Sequence, residues 1–178
     1  MNDAPVLVLA AGGTGGHMFP AQAVAETMLS QGWQVILSTD TRGSHYSAGF
    51  PDEVIVEVVS SGTFARPGLI NKIFVPFHIL NGIFAAFRRM RRLRPDVVVG
   101  FGGYPAIPAM GAALTLGIPC MLHEQNGVLG KVNGLFASRA DKIISGTRPT
   151  GFPKNLKVHY VGNPVRQAVL RKHGSCYI

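Results

Sequence analysis

Cysteine is scarce in this chain, and its scarcity excludes two classes of protein. The sequence has two cysteines in 178 residues, Cys120 within an apolar run and Cys176 near the end. Two cysteines so far apart form neither the disulfide framework of a small secreted domain nor the CxxC pairs of a zinc site. We therefore predict reduced thiols in a cytoplasmic protein that is held together by an apolar core.

Acidic residues are also few. Asp and Glu number 9 against 17 for Lys and Arg, which gives a formal net charge of +8. This imbalance favours an anionic partner, such as a phosphorylated ligand, an anionic membrane surface or a nucleic acid. A nucleic acid is the least favoured of the three, because no basic strand carries interleaved aromatic side chains.

Strand-like and helix-like segments alternate along the chain, a pattern typical of a parallel sheet flanked by helices. The predicted strands cover residues 6–10, 34–39, 54–59, 96–100, 120–123, 142–145 and 158–161. The predicted helices cover residues 20–31, 70–93, 105–116 and 131–137. We therefore predict an α/β, Rossmann-like fold whose ligands bind outside the carboxyl ends of the strands.

The first of these carboxyl ends carries the sequence Gly-Gly-Thr-Gly-Gly-His at residues 12–17. Glycines let backbone N–H groups approach an anion, and a helix N-terminus adds partial positive charge, so the loop predicts a phosphate site. The GxxxxGK[ST] pattern of P-loop proteins is absent, and the third glycine of the dinucleotide pattern falls on Met18. Asp40 alone supports NAD binding, and a tight turn without a ligand is the other alternative.

A second glycine-rich segment follows the fourth predicted strand. Residues 100–105 read Gly-Phe-Gly-Gly-Tyr-Pro and repeat the order of strand, glycines and helix, with Pro105 at a favoured helix start. Two helix N-termini side by side would suit a diphosphate, whereas the segment taken alone is equally typical of a structural turn. Its pairing with the first loop favours the diphosphate.

Polar side chains are crowded where the fifth predicted strand ends. Glu124 and Asn126 alternate with Gln125, so they can face the same side and bind sugar hydroxyls or an acetamido group. His123 and Glu124 are adjacent and point apart on an extended chain, so we predict no metal site. A polar strand end that caps the next helix is the alternative.

These segments together resemble the MurG family of peptidoglycan glycosyltransferases. The resemblance rests on residues 12–17, 102–104 and 123–126 and on Val-Gly-Asn-Pro-Val-Arg at residues 161–166, in the order and spacing of that family. It implies the N-terminal domain of a GT-B enzyme that transfers N-acetylglucosamine from UDP-N-acetylglucosamine to lipid I, with inversion and with no bound cofactor. It also implies a peripheral position on the cytoplasmic face of the bacterial inner membrane.

The resemblance assigns residues to roles. It implies that Thr14, Gly15, Gly16, Asn126 and Arg166 bind the donor, and that Gly13, Gly102, Gly103 and Tyr104 bind the acceptor and its diphosphate. His17 and Glu124 are the predicted catalytic residues. We expect His17 to be the base, since the positive end of a helix dipole disfavours imidazolium and keeps the ring neutral.

The chain is about half as long as members of that family. We predict an acceptor-binding domain over residues 1–163, and over residues 164–178 a linker and the start of a donor domain. A separate C-terminal donor half is a predicted partner. A catalytically silent module that binds a polyprenyl-diphosphate sugar or a nucleotide at the membrane is the alternative function.

Residues 70–94 combine an apolar helical stripe with a cluster of arginines. Pro76 and the polar residues His78 and Asn81 argue against a membrane-spanning helix, so an interfacial helix is the better prediction. Packing of the stripe on the chain's own sheet is the alternative. The predicted membrane contacts are Ile73, Phe74, Phe77, Phe84, Arg88 and Arg89.

Overall fold

The computed structural model describes residues 4–59 and 69–172, with side chains excluded for residues 69–79. The strands are β1 (Val6–Ala11), β2 (Gln34–Thr39), β3 (Ile55–Val58), β4 (Val97–Gly102), β5 (Cys120–Glu124), β6 (Lys142–Ser145) and β7 (Val158–Tyr160). The helices are α1 (Gly15–Ser30), α2 (Leu69–Leu93), α3 (Ala106–Leu116), α4 (Lys131–Phe136) and α5 (Gln167–Leu170), and Gly43–Gly49 forms a 3₁₀ helix.

The seven strands form one parallel sheet in the order β3-β2-β1-β4-β5-β6-β7. The chain builds outward from β1 to β3, then returns to the other side of β1 to begin β4. A crevice opens at such a reversal, outside the carboxyl ends of the two adjacent strands. The two glycine loops follow β1 and β4, so the topology brings them together at this crevice.

Two apolar clusters, one on each face of the sheet, hold the helices in place. On one face α1 packs through Met18, Ala21 and Ala25, and on the other α3 packs through a run of alanines and Met110. Helix α2 packs on α3 through partly buried residues such as Ile83 and Phe87. The predicted α/β, Rossmann-like class is confirmed.

The start of α1 differs from the prediction. The sequence predicts a helix from Pro20, but α1 begins at Gly15 and contains Pro20. Proline there leaves the Gly16 carbonyl without its helical N–H partner, and Gly16 is exposed, so water can take that place. His17 consequently lies in the first helical turn rather than in the preceding loop.

Candidate active site

The two glycine loops are in direct backbone contact. A Cβ atom on Gly12 would lie 2.6 Å from Cγ of Pro105, and one on Gly103 would lie 2.6 Å from the Gly12 carbonyl oxygen. Gly103 also has φ of +80°. A side chain at either glycine would force the loops apart, so glycine is required at both positions.

His17 lies between the two loops. Its Nδ1 is 3.2 Å from Oγ1 of Thr14, and its ring rests against Gly102, where a Cβ would lie 3.1 Å from Nε2. Burial lowers the pKa of His17, and the Glu124 charge and a hydrogen bond to the Gly12 backbone oppose that shift only in part. The direction agrees with the prediction, but its cause is burial rather than the predicted helix dipole. The ring is therefore neutral at pH 7 and can accept a proton.

Glu124 is 2% exposed, and its carboxylate is fully hydrogen-bonded within the chain. Oε1 accepts from the backbone N–H (3.2 Å) and the Nδ2 amide (3.1 Å) of Asn126. Oε2 accepts from the backbone N–H of Gly130 (2.9 Å) and from Nδ2 of Asn133 (2.9 Å). Four donors fill the acceptor positions of one carboxylate. Glu124 therefore holds the following loop, residues 125–130, which we call the Glu124 loop, against α4.

A cavity of about 220 Å³ lies between these elements. It is lined by His17, Gly102, Gly103, Tyr104, Glu124, Asn126, Gly130, Lys131, Val132 and Asn133. Six of the predicted site residues therefore meet at one cavity. Its walls are the N-terminal turn of α1, the second glycine loop, the Glu124 loop and the start of α4.

Lys131 and Asn133 also line this cavity, although neither is among the predicted site residues. Asn133 donates to Glu124 and also to the His123 carbonyl, 3.2 Å away. The available signal was an asparagine among apolar residues of a short helix, because a buried amide needs polar partners. Lys131 is exposed and gives the cavity a positive charge.

Other predicted site residues lie outside the cavity. Thr14 and Gly16 are exposed on the first glycine loop, beside half-buried Gly13 and Gly15. The guanidinium of Arg166 lies 3.9 Å above the ring of Phe19 in α1. A Cβ on Gly15 would meet that same ring at 2.8 Å. Arg166 thus approaches the first glycine loop from the side of α1.

His123 is a second histidine with a lowered pKa. It is 0% exposed, packs 5.3 Å from the Phe101 ring centroid, and has no hydrogen-bond partner at either ring nitrogen. Burial lowers the pKa of His123, while the Glu124 charge and the nearby Gln125 amide raise it by less. This histidine belongs to the core and does not line the cavity. Within residues 4–59 and 69–172, no three His, Cys, Asp or Glu side chains are grouped as metal ligands.

Helix α2 exposes apolar and basic residues along one side. Leu80 and Phe84 are exposed, and the Arg88 guanidinium lies 5.9 Å from the Phe84 ring centroid. Arg89 is used differently, since it pairs with Glu57 of β3 through a 2.6 Å hydrogen bond. The side chains of Ile73, Phe74 and Phe77 lie outside the described residues. In the part of the chain that is described, no helix is long and apolar enough to cross a bilayer.

The domain matches a known protein family over most of its length. The model of the glycosyltransferase family 28 N-terminal domain matches residues 7–145. The chain belongs to glycosyltransferase family 28. The match runs from β1 to the end of β6 and includes both glycine loops and the Glu124 loop.

Relatives within family 28 give a finer comparison. The chain is 45% identical over 170 residues to a protein of Caulobacter vibrioides, covering 91% of this chain and 45% of that protein. It is 42% identical over 176 residues to a protein of Rhizobium meliloti, covering 98% and 47%. Both are named UDP-N-acetylglucosamine–N-acetylmuramyl-(pentapeptide) pyrophosphoryl-undecaprenol N-acetylglucosamine transferase. The chain spans about half the length of these curated relatives.

Solved structures agree with this assignment. The crystal structure of Acinetobacter baumannii MurG superposes with a TM-score of 0.74 at 31% identity, covering 98% of this chain and 50% of that one. UDP-N-acetylglucosamine 2-epimerase from Rickettsia bellii shares the fold alone, with a TM-score of 0.62 at 16% identity over 96% of this chain and 47% of that one. The predicted resemblance to the N-terminal half of MurG is confirmed.

Proposed function

We propose that this family 28 domain binds the acceptor in the transfer of N-acetylglucosamine from UDP-N-acetylglucosamine to lipid I, which gives lipid II. The observation that carries the proposal is the position of His17. A neutral, half-buried imidazole lines the same cavity as the second glycine loop and Asn126. The names of the relatives supply the substrates.

His17 is the base in this proposal. The acceptor C4 hydroxyl loses its proton to the imidazole as its oxygen forms a bond to C1 of the donor sugar. The bond from C1 to the UDP oxygen breaks, and its electron pair leaves with UDP. A neutral imidazole is suited to this step at pH 7 because one of its ring nitrogens carries no proton. Direct displacement inverts the configuration at C1.

Glu124 and Asn126 have different roles at the cavity: Glu124 positions Asn126, and Asn126 contacts the donor sugar. Because four donors already satisfy the Glu124 carboxylate, we assign it to positioning rather than to proton transfer. Its two hydrogen bonds to Asn126 fix the side chain that would contact the donor sugar. The Asn126 amide keeps its carbonyl oxygen available for a sugar hydroxyl or acetamido N–H.

A ligand phosphate fits the first turn of α1 better than that of α3. The first N–H groups of α3, those of Ala106 and Ile107, donate to the carbonyls of Gly103 and Tyr104. In α1 the earliest such bond runs from the His17 N–H to the Thr14 carbonyl. The N–H groups of Gly15 and Gly16 come before it in the chain and therefore have no acceptor within the helix. Those two N–H groups, with the helix dipole, favour an anion above the first glycine loop. Lys131, which lines the cavity, adds a positive charge there.

A C-terminal donor half is the partner we propose for this domain. The described end of the chain exposes Val161, Val165, Val169 and Leu170, and no residue of α5 is buried. Exposed apolar residues grouped in this way are typical of a surface that packs against another domain. Relatives of about twice the length are consistent with such a domain.

Reconstitution tests the proposed reaction. The chain is mixed with a separately expressed C-terminal half of the Caulobacter vibrioides relative, radiolabelled UDP-N-acetylglucosamine and a soluble lipid I analogue. We expect labelled disaccharide only when both halves are present. Saturable binding of the lipid I analogue without transfer, in a mixture whose two halves co-elute on gel filtration, would instead indicate the silent binding module.

The exposed side of α2 is the proposed contact with an anionic membrane, which would place the protein on the cytoplasmic face of the inner membrane. Leu80, Phe84 and Arg88 present apolar surface and positive charge together, and Arg91 and Arg92 extend the charge. Each arginine near such a surface contributes about 1 kcal/mol.

Liposome flotation tests this contact. We expect the parent chain to float with vesicles that contain phosphatidylglycerol, and Leu80→Ser/Phe84→Ser to stay in the dense fraction. Leu135→Ser is the matched control, since Leu135 in α4 is 65% exposed and Leu80 is 63% exposed. Equal flotation of the three proteins would contradict the contact.

A further inference from the structure

The segment that follows β7, residues 162–167, is hydrogen-bonded to the rest of the domain at both of its ends. Gly162 makes the turn with φ of +85°, and Asn163 then lies against the ends of β5 and β6. Further along, Gln167 N–H donates to Glu26 Oε2 of α1 over 2.8 Å, and Arg166 stacks on Phe19. We propose that Asn163 is a positioning residue that couples this segment to the Glu124 loop.

The side chain of Asn163 packs against Gly146. A Cβ on Gly146 would collide with the carboxamide of Asn163, so the side chain of Asn163 rests directly on the glycine backbone. The Gly146 N–H donates to the Glu124 carbonyl over 2.8 Å, and Val161 N–H donates to the Ser145 carbonyl over 3.0 Å. Glycine at position 146 is therefore what leaves room for the Asn163 carboxamide beside the end of β6.

Asn163 also holds the backbone of the Glu124 loop. Its Nδ2 donates to the carbonyl of Gln125 over 3.4 Å. Gln125 stands between Glu124 and Asn126, which both line the cavity. A displacement of Asn163 therefore acts on the peptide units that orient the two cavity residues.

This arrangement gives the segment a role in catalysis. A domain attached beyond residue 172 would pull on a segment that is hydrogen-bonded to the Glu124 loop. A change in the position of that domain would therefore shift Asn126. The catalytic consequence rests on the proposed function, whereas the coupling between Asn163 and the loop does not.

A double-mutant cycle on the chain itself, without substrate, tests the coupling. The variants are Asn163→Ala, Gly146→Ala and the double variant, with Gly134→Ala as the matched control because a Cβ there meets only Leu129 at 4.0 Å. One readout is the rate of tryptic cleavage after Arg166. The other is amide hydrogen exchange at Asn126 and Gly130, whose N–H groups both donate to Glu124.

We expect Asn163→Ala to raise both cleavage after Arg166 and exchange at Asn126 by about three- to tenfold, as the loss of one hydrogen bond implies. Gly146→Ala should do the same, and the double variant should match Asn163→Ala, because the collision disappears with the side chain. Asn163 is exposed, so its truncation leaves the fold intact. Faster cleavage with unchanged exchange at Asn126 and Gly130 would overturn the proposal, as would additive effects in the double variant. Failure of the transfer reaction would leave these results unaffected.

Discussion

Replacing Glu124 with glutamine tests whether its carboxylate holds the site together. In the parent chain both carboxylate oxygens accept two hydrogen bonds, whereas a glutamine amide accepts at one oxygen and presents an NH₂ group at the other position. The oxygen should stay with the more deeply buried donors, Gly130 N–H and Asn133 Nδ2. The NH₂ group then faces the two donors of Asn126, and both of those bonds are lost.

The magnitude follows from the two lost bonds. Hydrogen bonds to a charged group contribute about 1.5–3 kcal/mol each. The Asn126 end is partly exposed, so water compensates in part and the lower value applies. Glu124→Gln should therefore lower the free energy of unfolding by about 3 kcal/mol, a large share of the ~5–15 kcal/mol typical of a domain.

Urea unfolding at pH 7 measures this change. Trp33 is the single tryptophan and is half-buried against the apolar cluster that contains Met18 and Ala21 of α1, so its fluorescence reports the transition. Glu53→Gln is the matched control because Glu53 is exposed, and it should leave the free energy of unfolding unchanged. If Glu124→Gln also stayed within about 0.5 kcal/mol of the parent, the range expected for surface substitutions, the reasoning would be refuted.

Two further predictions concern stability. Burial lowers the pKa of His17 and His123 below 6.5, so the unfolded chain binds these protons more tightly than the folded chain. The free energy of unfolding should then fall as the pH drops from about 7 through 6.5, by up to about 1.4 kcal/mol per pH unit for each histidine, and His17→Ala/His123→Leu should flatten the slope measured by urea unfolding. Gly103→Ala should lower the melting temperature markedly, because its Cβ meets the Gly12 carbonyl oxygen at 2.6 Å in a positive-φ position. Gly134→Ala is the control and should leave the melting temperature unchanged. Equal melting temperatures for the two variants would contradict the tight contact of the loops.

Much of the fold is predictable because its central strands, β1, β2, β4 and β5, are buried on both faces. A short apolar run between turn residues then marks a strand by itself, and β2 and β6 match their predicted bounds at both ends. The convergence of the two glycine loops and the Glu124 loop also follows from sequence, because the carboxyl ends of parallel strands share one edge.

Other features depend on contacts that sequence does not encode locally. Pro20 predicts a helix start, whereas α1 begins at Gly15 and continues through Pro20, since Gly16 is exposed and its carbonyl can bond to water. Asn133 enters the site only because α4 packs beside β5 and brings its amide to Glu124. The stacking of Arg166 on Phe19 joins opposite ends of the chain and likewise requires the folded structure.

Turnover of His17→Ala tests the central claim most directly. In the reconstituted reaction we compare it with His45→Ala, a matched control because His45 is exposed and does not line the cavity. A general base contributes about 10²-fold or more, so His17→Ala should lose at least that factor in kcat while His45→Ala keeps the parental rate. A kcat for His17→Ala within about threefold of the parent would contradict the assignment of His17 as the base.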